Sequence, residues 1–455
     1  MENRETFKSR IGFIMASAGC AIGLGNVWRF PFITGKYGGA IFVIFYLAFL
    51  AILGLPIMVM EFSVGRASGK SSVRSFHVLE PKGTRWHLFG KFSVIGNYLL
   101  MMFYTTVAGW MFSYTLKSAK GVFSGLSATE IGGIFEQMLA SPSEQIIWMG
   151  IVVLLGFLVC AGGVKNGIEK FSTVIMTMLL FIMLILVIRA LTLPGASKGF
   201  FFYITPDFHK LSEYKITEVI FAAMGQAFFT LSLGIGALAI FGSYIGKEKT
   251  LTGEAIHIIA LDTFVALMSG FIIFPTCFAF GVNPGAGPGL IFVTIPNIFN
   301  AMPFGRLWGT FFFIFMSFAS LTTIVAVFEN IIAFAMDRNG WSRKKAVTIN
   351  LIVVFLASLP CALGFNILSG IQLPKIGNIQ SIEDFLVSDN LLPLGSLTYL
   401  LFCTSRYGWG YDNFIKEANT GNGIKFPAKF RFYTVWILPF IVIGIWLAGL
   451  IQKFF

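Results

Sequence analysis

Long runs without charge decide which solvent this chain can fold in. Residues 41–60, 146–161, 171–188, 307–327, 346–363 and 434–451 contain no Asp, Glu, Lys or Arg. A helix needs about 20 apolar residues to cross the hydrocarbon core of a bilayer. Of the 455 residues, 56% are hydrophobic and only 12% charged. A soluble domain carries about 25% charged residues, so this chain could not cover a water-facing surface. Alternating segments of about ten residues, the mark of a membrane β-barrel, are absent. An all-α membrane protein is predicted.

Eleven spans are predicted, at 11–35, 39–65, 90–117, 145–162, 167–190, 216–242, 253–281, 304–336, 345–368, 384–404 and 432–452. They are numbered 1 to 11 below. The net charge is +12, and 22 of the 33 basic residues fall within 4–10, 66–91, 165–170, 247–249, 338–345 and 406–431. These segments alternate with the spans on one side. The asymmetry predicts a plasma-membrane protein with a cytoplasmic amino terminus and an outside carboxyl terminus. It is not a nucleic-acid footprint. Residues 1–10 are charged and lead straight into span 1, so no cleaved signal is expected. Cys20, Cys160, Cys277, Cys361 and Cys403 lie in or beside apolar runs without metal spacing, and an odd count fits no complete disulfide set. The histidines 77, 87, 209 and 257 are scattered. Both sets read as packing or loop residues.

Two spans carry glycines near mid-membrane. Span 1 reads Gly19-Cys20-Ala21-Ile22-Gly23-Leu24-Gly25-Asn26, and span 6 reads Phe229-Thr230-Leu231-Ser232-Leu233-Gly234-Ile235-Gly236. Glycine costs a helix about 1 kcal/mol relative to alanine, so such pairs favour unwinding. Small residues also serve close helix packing. The breaks, however, open the first helices of two five-helix halves, which favours unwinding around a cavity. Unwound backbone inside a bilayer must line a cavity or be buried in protein. Freed amides at a helix break suit a carboxylate, and freed carbonyls suit a cation. A hard cation also wants side-chain oxygens, for which Asn26, Thr230, Asp262, Thr322 and Thr323 are the candidates inside apolar spans.

Intramembrane carboxyls are expensive and functional by default. Glu61 in span 2 is read as a structural acceptor for unwound amides. Asp262 in span 7 is a candidate cation ligand or proton acceptor. Glu329 in span 8 is expected to face a water-filled vestibule without touching a ligand. Arg29 with Glu383 or Asp384 offers an outer charge pair, and Arg4 with Asp337 an inner one. Isolated surface pairs contribute little, so these pairings need a fold behind them.

The runs Gly23-Leu24-Gly25-Asn26-Val27-Trp28-Arg29-Phe30-Pro31, Glu61-Phe62-Ser63-Val64-Gly65-Arg66, Gly225-Gln226-Ala227-Phe228-Phe229-Thr230-Leu231-Ser232 and Ser320-Leu321-Thr322-Thr323 resemble the neurotransmitter:sodium symporter family. The likeness is collinear over nearly the whole chain, and the eleven-span length resembles the bacterial amino acid transporters. It implies the leucine-transporter fold in a single transmembrane domain, with inverted repeats at about 11–190 and 216–404 and an extra helix at about 432–452. Matched breaks in two halves point to a transporter's site, although that generalisation draws partly on this family.

Carried over by position, the resemblance implies two sodium sites. The first uses the Ala21 carbonyl, Asn26, Thr230, Asp262 and the substrate carboxylate. The second uses the carbonyls of Gly19, Ile22 and Ala319 with the hydroxyls of Thr322 and Thr323. Substrate would lie against Ala21, Gly25, Leu100, Tyr104, Phe229, Ser232, Ile235, Thr323 and Val327, with Tyr104 binding the carboxylate and Phe229 capping the site. The gates would pair Arg29 with Asp384, Glu383 being the alternative acid, and Arg4 with Asp337.

Gly23 stands where monoamine carriers hold an aspartate, so the substrate should bring its own carboxylate. Asp262 and Ala266 stand where chloride-dependent members have asparagine and serine, which implies chloride independence. Ile235 and Val327 replace bulkier residues of the leucine carrier and leave room for an aromatic side chain. Cys20 replaces a polar amide there. Relatives often have proline ten residues after a span 5 glycine, whereas Gly167 is followed at that distance by Thr177. The predicted function is sodium-coupled import of a hydrophobic L-amino acid. The rivals are a proton-coupled carrier of the same fold and a non-transporting amino acid sensor. No partnered nucleophile, metal cluster or phosphate loop suggests an enzyme.

Overall fold

The computed structural model describes residues 5–208, 216–282, 284 and 289–454. Among them, nine helices are long and apolar enough to cross a bilayer alone: Ala40–Ser68, His87–Lys120, Pro142–Ala161, Val164–Leu191, Leu251–Ala279, Gly305–Asn339, Arg343–Leu363, Ile379–Thr404 and Ala428–Phe454. A tenth span is a pair, Arg10–Ala21 and Gly25–Lys36, bent by 56° at its break. The remaining predicted span, span 6 at 216–242, forms as Ile216–Thr230 and Ala237–Gly242 with non-helical residues between. Both breaks therefore fall at the glycine runs of spans 1 and 6.

The helix ends follow from local chemistry. Ser9 begins span 1 by accepting the Gly12 N–H, and Ser141 and Ser342 do the same for Glu144 and Lys345 at spans 4 and 9. Such caps satisfy amides that have no partner within the helix. Spans 2, 3 and 8 end on Gly69, Gly121 and Gly340 in the left-handed region, where a side chain is strained. Span 9 stops at Leu363 rather than 368, and span 10 starts at Ile379 rather than 384.

Spans 3 and 8 pack along each other at the centre, with 72% and 83% of their most apolar stretches buried by protein. Only 28% of the corresponding stretch of span 11 is buried, so that helix lies at the rim. Span 2 meets the second half of span 6 backbone to backbone: a Cβ on Gly65 would sit 1.8 Å from the Ala239 carbonyl oxygen. The face where span 1 begins is called the basic face below. Its loops hold two short helices, Ser72–Leu79 and Tyr411–Ala418. The opposite face holds Ala128–Ala140, Ala196–Ile204, Leu290–Asn300 and a hairpin pairing Gln372–Leu373 with Gly377–Asn378.

Candidate functional site

Span 1 stops because Ile22 turns extended, at φ −70° and ψ 102°. The freed groups find side chains. The Gly23 N–H donates to Asn26 Oδ1 at 3.0 Å, and the Leu24 N–H donates to the Tyr104 hydroxyl at 3.0 Å. The Gly25 carbonyl accepts from Gln226 Nε2 at 2.9 Å.

Two oxygen-rich clusters flank this break. In the first, Asn26 Nδ2 donates to Asp262 Oδ1 at 2.7 Å and to the Asp262 carbonyl at 3.2 Å. The Thr230 hydroxyl donates to Asp262 Oδ2 at 3.2 Å. Asn26, Thr230 and Asp262 are fully buried, and the first half of span 1 ends at Ala21. In the second, the Thr323 hydroxyl reaches the carbonyls of Gly19 and Ile22, both at 3.3 Å, and of Ala319 at 3.5 Å. Thr322 donates to the Ala319 carbonyl at 3.0 Å. Each donor set is mainly hard oxygen, which suits an alkali or alkaline-earth cation and not a soft metal.

The span 6 break is held from below. Glu61, fully buried, accepts the Gly234 N–H at 2.9 Å and the Leu238 N–H at 3.2 Å. Gly234 and Gly236 take φ values of +90° and +80°, and Ser232 takes +50°. A serine at positive φ is uncommon, and such strain clusters at functional sites. Its hydroxyl reaches the Cys20 carbonyl at 3.4 Å, so the two breaks touch. A neutral amide at position 61 would turn a donor towards one of the two N–H groups. Glu61→Gln is expected to cost about 2–3 kcal/mol of folding stability through that unpaired group. Thermal unfolding in detergent checks it, and an unchanged midpoint would refute it.

Leu100, Tyr104, Ile235 and Val327 are buried; Tyr104 meets the span 1 break and Ile235 lies in the span 6 break. A Cβ on Gly25 would lie 2.9 Å from the Phe229 ring, so only glycine lets that ring come so close. Towards the opposite face, Leu24, Tyr104, Phe229, Arg29 and Asp384 line a cavity of about 300 Å³. The Arg29 guanidinium stacks on Phe229, 4.3 Å from the ring centre, while Asp384 accepts from the Ser388 hydroxyl at 2.5 Å. Arg29 and Asp384 thus face one cavity with other immediate partners. Glu383 is buried away from that lining. Arg4 lies outside the described residues, and Asp337 accepts the Ser71 N–H at 2.6 Å.

Two sequence expectations change. Glu329 does not face a vestibule: it is fully buried, paired with Arg343 at 2.8 and 2.9 Å, and accepts from the Tyr244 hydroxyl at 2.6 Å. The histidines are not all scattered, since His77 and His87 converge on Glu80. That gathering is also a candidate metal cluster, which spacing did not reveal. A further feature was missed altogether. The Ile235 carbonyl accepts from Ser93 at 2.7 Å, Asn97 at 2.8 Å and Asn330 at 3.2 Å. Two asparagines on apolar helices were the available signal. Span 5 runs α-helical through Thr177, whose hydroxyl donates to the Thr173 carbonyl at 2.7 Å.

Comparison with known proteins adds the following. Residues 4–127 and 135–454 match the Sodium:neurotransmitter symporter family. A protein described as an uncharacterized sodium-dependent transporter, YhdH of Bacillus subtilis, is 35% identical over 95% of this chain and 94% of its own length. Another so described, from Haemophilus influenzae, is 30% identical over 99% of each chain. The human sodium- and chloride-dependent taurine transporter is 26% identical over 80% of this chain and 66% of its own. Among solved structures, MhsT in complex with L-phenylalanine has a TM-score of 0.88 and 36% identity, covering 98% of this chain and 100% of that one.

Proposed function

The chain belongs to the sodium:neurotransmitter symporter family, and from that premise we propose that it imports a hydrophobic L-amino acid, an aromatic one foremost, together with sodium. It is a transporter and not an enzyme. One observation carries the reading: the freed backbone of span 1 meets the Tyr104 hydroxyl on one side and the all-oxygen cluster at Thr323 on the other. A carboxylate and a hard cation can both be held within that single break.

Two sodium sites follow, one at Asn26, Thr230, Asp262 and the Ala21 carbonyl, the other at Thr322, Thr323 and the carbonyls of Gly19, Ile22 and Ala319. The substrate carboxylate completes the first site, so each ligand supplies part of the other's. Coupling of this kind is reciprocal. Ala21, Gly25, Leu100, Tyr104, Phe229, Ser232, Ile235, Thr323 and Val327 form the substrate pocket. The phenylalanine bound by MhsT supports an aromatic side chain between Ile235 and Val327. Asp262 supplies a fixed negative charge beside the first sodium, with Ala266 buried one turn away. Chloride is therefore not needed, unlike in the taurine transporter. The basic face is the cytoplasmic one, Arg29 and Asp384 form the outer gate, and Arg4 and Asp337 the inner.

Purified protein in liposomes with an inward sodium gradient is expected to accumulate phenylalanine, tyrosine or tryptophan, at least tenfold above a sodium-free control and equally in chloride or gluconate. Accumulation that ignores sodium but follows a pH gradient would overturn sodium coupling in favour of proton coupling. Binding without uptake would make the protein a sensor. Uptake that rises several-fold with chloride would remove the role given to Asp262.

A further inference from the structure

The loop joining spans 2 and 3 gathers three metal-ligating side chains far from the breaks. His77 lies in the last turn of the helix Ser72–Leu79, Glu80 follows that helix, and His87 is the first residue of span 3. Their ligand atoms all lie within 4.8 Å of one another. One carboxylate oxygen serves both rings: Glu80 Oε1 is 2.7 Å from His87 Nδ1 and 3.5 Å from His77 Nδ1. The rings stand nearly perpendicular, 5.8 Å apart, so they do not stack.

The cluster is built, not merely crowded. Glu80 Oε2 accepts the His87 backbone N–H at 3.0 Å, which fixes the carboxylate's orientation. The Thr84 N–H and hydroxyl both donate to the Pro81 carbonyl, at 3.2 and 2.8 Å, and Gly83 takes φ +86° to close the turn. Trp86 Nε1 donates to the Tyr407 carbonyl at 2.7 Å, tying the turn to the loop after span 10. The Glu80 side chain is only 10% exposed, whereas His77 is 62% exposed and gives an ion access. Around a tetrahedral zinc ion with bonds of about 2.0–2.1 Å, ligand atoms sit roughly 3.4 Å apart. The spacings from Glu80 Oε1 to the two rings, 2.7 and 3.5 Å, bracket that value.

We infer that His77, Glu80 and His87 form a site for a divalent transition-metal ion, zinc foremost, which staples the loop between spans 2 and 3. Two imidazoles and one carboxylate select zinc, cobalt or nickel over magnesium or calcium, which want oxygen alone. A solvent molecule takes the fourth position. Lys82 and Arg85 in the same loop oppose a cation and keep the site weaker than a four-ligand structural one. The staple has mechanical reach. Phe76 of the stapled helix packs on Phe89, Tyr399 and Phe402 of spans 3 and 10, and Ser72 donates to Asn330 of span 8 at 3.2 Å. The loop also continues span 2, whose Glu61 holds the span 6 break.

The test uses the full-length protein in detergent, without an affinity tag and stripped with a chelator. Cobalt is added first, to read its visible d–d bands, and zinc then competes against a chromophoric chelator. One equivalent is expected to bind. Glu80→Gln, His77→Ala and His87→Ala should each weaken binding at least about tenfold. His257→Ala, a change elsewhere in the chain, should leave it unchanged. Uptake by each variant shows that it is folded. Binding absent from the wild type, or equal in the wild type and all three loop variants, would overturn the site.

Discussion

Replacing Asp262 by alanine is expected to lower sodium-dependent uptake at least about 100-fold, or ~2.7 kcal/mol in transport free energy. The carboxylate receives Asn26 Nδ2 on one oxygen and the Thr230 hydroxyl on the other, with no exposure to solvent. Alanine orphans the Thr230 hydroxyl and leaves Asn26 Nδ2 with only the Asp262 backbone carbonyl at 3.2 Å, and a buried unpaired group costs about 1–3 kcal/mol. It also removes the single formal negative charge in the cluster, where low dielectric makes that charge count most. Asp262→Asn separates the two effects. It keeps the shape and an acceptor but loses the charge, so uptake should recover in part and become stimulated by chloride. Radiolabelled uptake across a sodium series, with and without chloride, reads both variants. Alanine uptake within a few-fold of wild type would remove Asp262 from the site.

The architecture was legible because bilayer thickness writes itself into the sequence as uncharged runs, and the breaks because glycines interrupt two of them. Asn26, Thr230, Asp262 and Thr323 stood out as polar groups in apolar surroundings. Partnerships were harder to read. Glu329 and Arg343 are separated by a helix end and a turn, and nothing in their spacing says that the arginine folds back to the carboxylate. Ser93, Asn97 and Asn330 come from two helices that meet only once spans 3 and 8 pack. His77, Glu80 and His87 straddle a loop whose tight turn, set by Pro81 and Gly83, decides whether they meet. Arg29 and Asp384 line one cavity, as their complementary charges suggested, but the immediate partners, the Phe229 ring and the Ser388 hydroxyl, were not readable from spacing. Composition reports burial well, whereas side-chain direction depends on neighbours that only the fold supplies.

Two glycines on these spans are expected to fail differently when a single methyl group is added. At Gly65 the new Cβ would lie 1.8 Å from the Ala239 carbonyl oxygen and 2.9 Å from its Cα. Both sides of that contact are backbone, so spans 2 and 6 must separate, and overpacking of this kind costs about 3 kcal/mol. Gly65→Ala should yield little folded protein. At Gly23 the Cβ would lie 2.4 Å from the Tyr104 hydroxyl and 2.6 Å from the Thr323 hydroxyl. These are side-chain ends that can turn away, so Gly23→Ala should fold with a thermal midpoint near wild type. The groups that move, however, are the proposed carboxylate donor and the hydroxyl that gathers three carbonyls. Affinity for sodium and for the amino acid should therefore fall together, each by at least about tenfold, or ~1.4 kcal/mol. Equilibrium binding of labelled substrate across a sodium series, with thermal unfolding in detergent, distinguishes the two variants. A Gly23→Ala protein that loses substrate affinity but keeps sodium affinity would show that the two sites do not share the span 1 break, and the coupling would then have to run through span 6 and Glu61 instead.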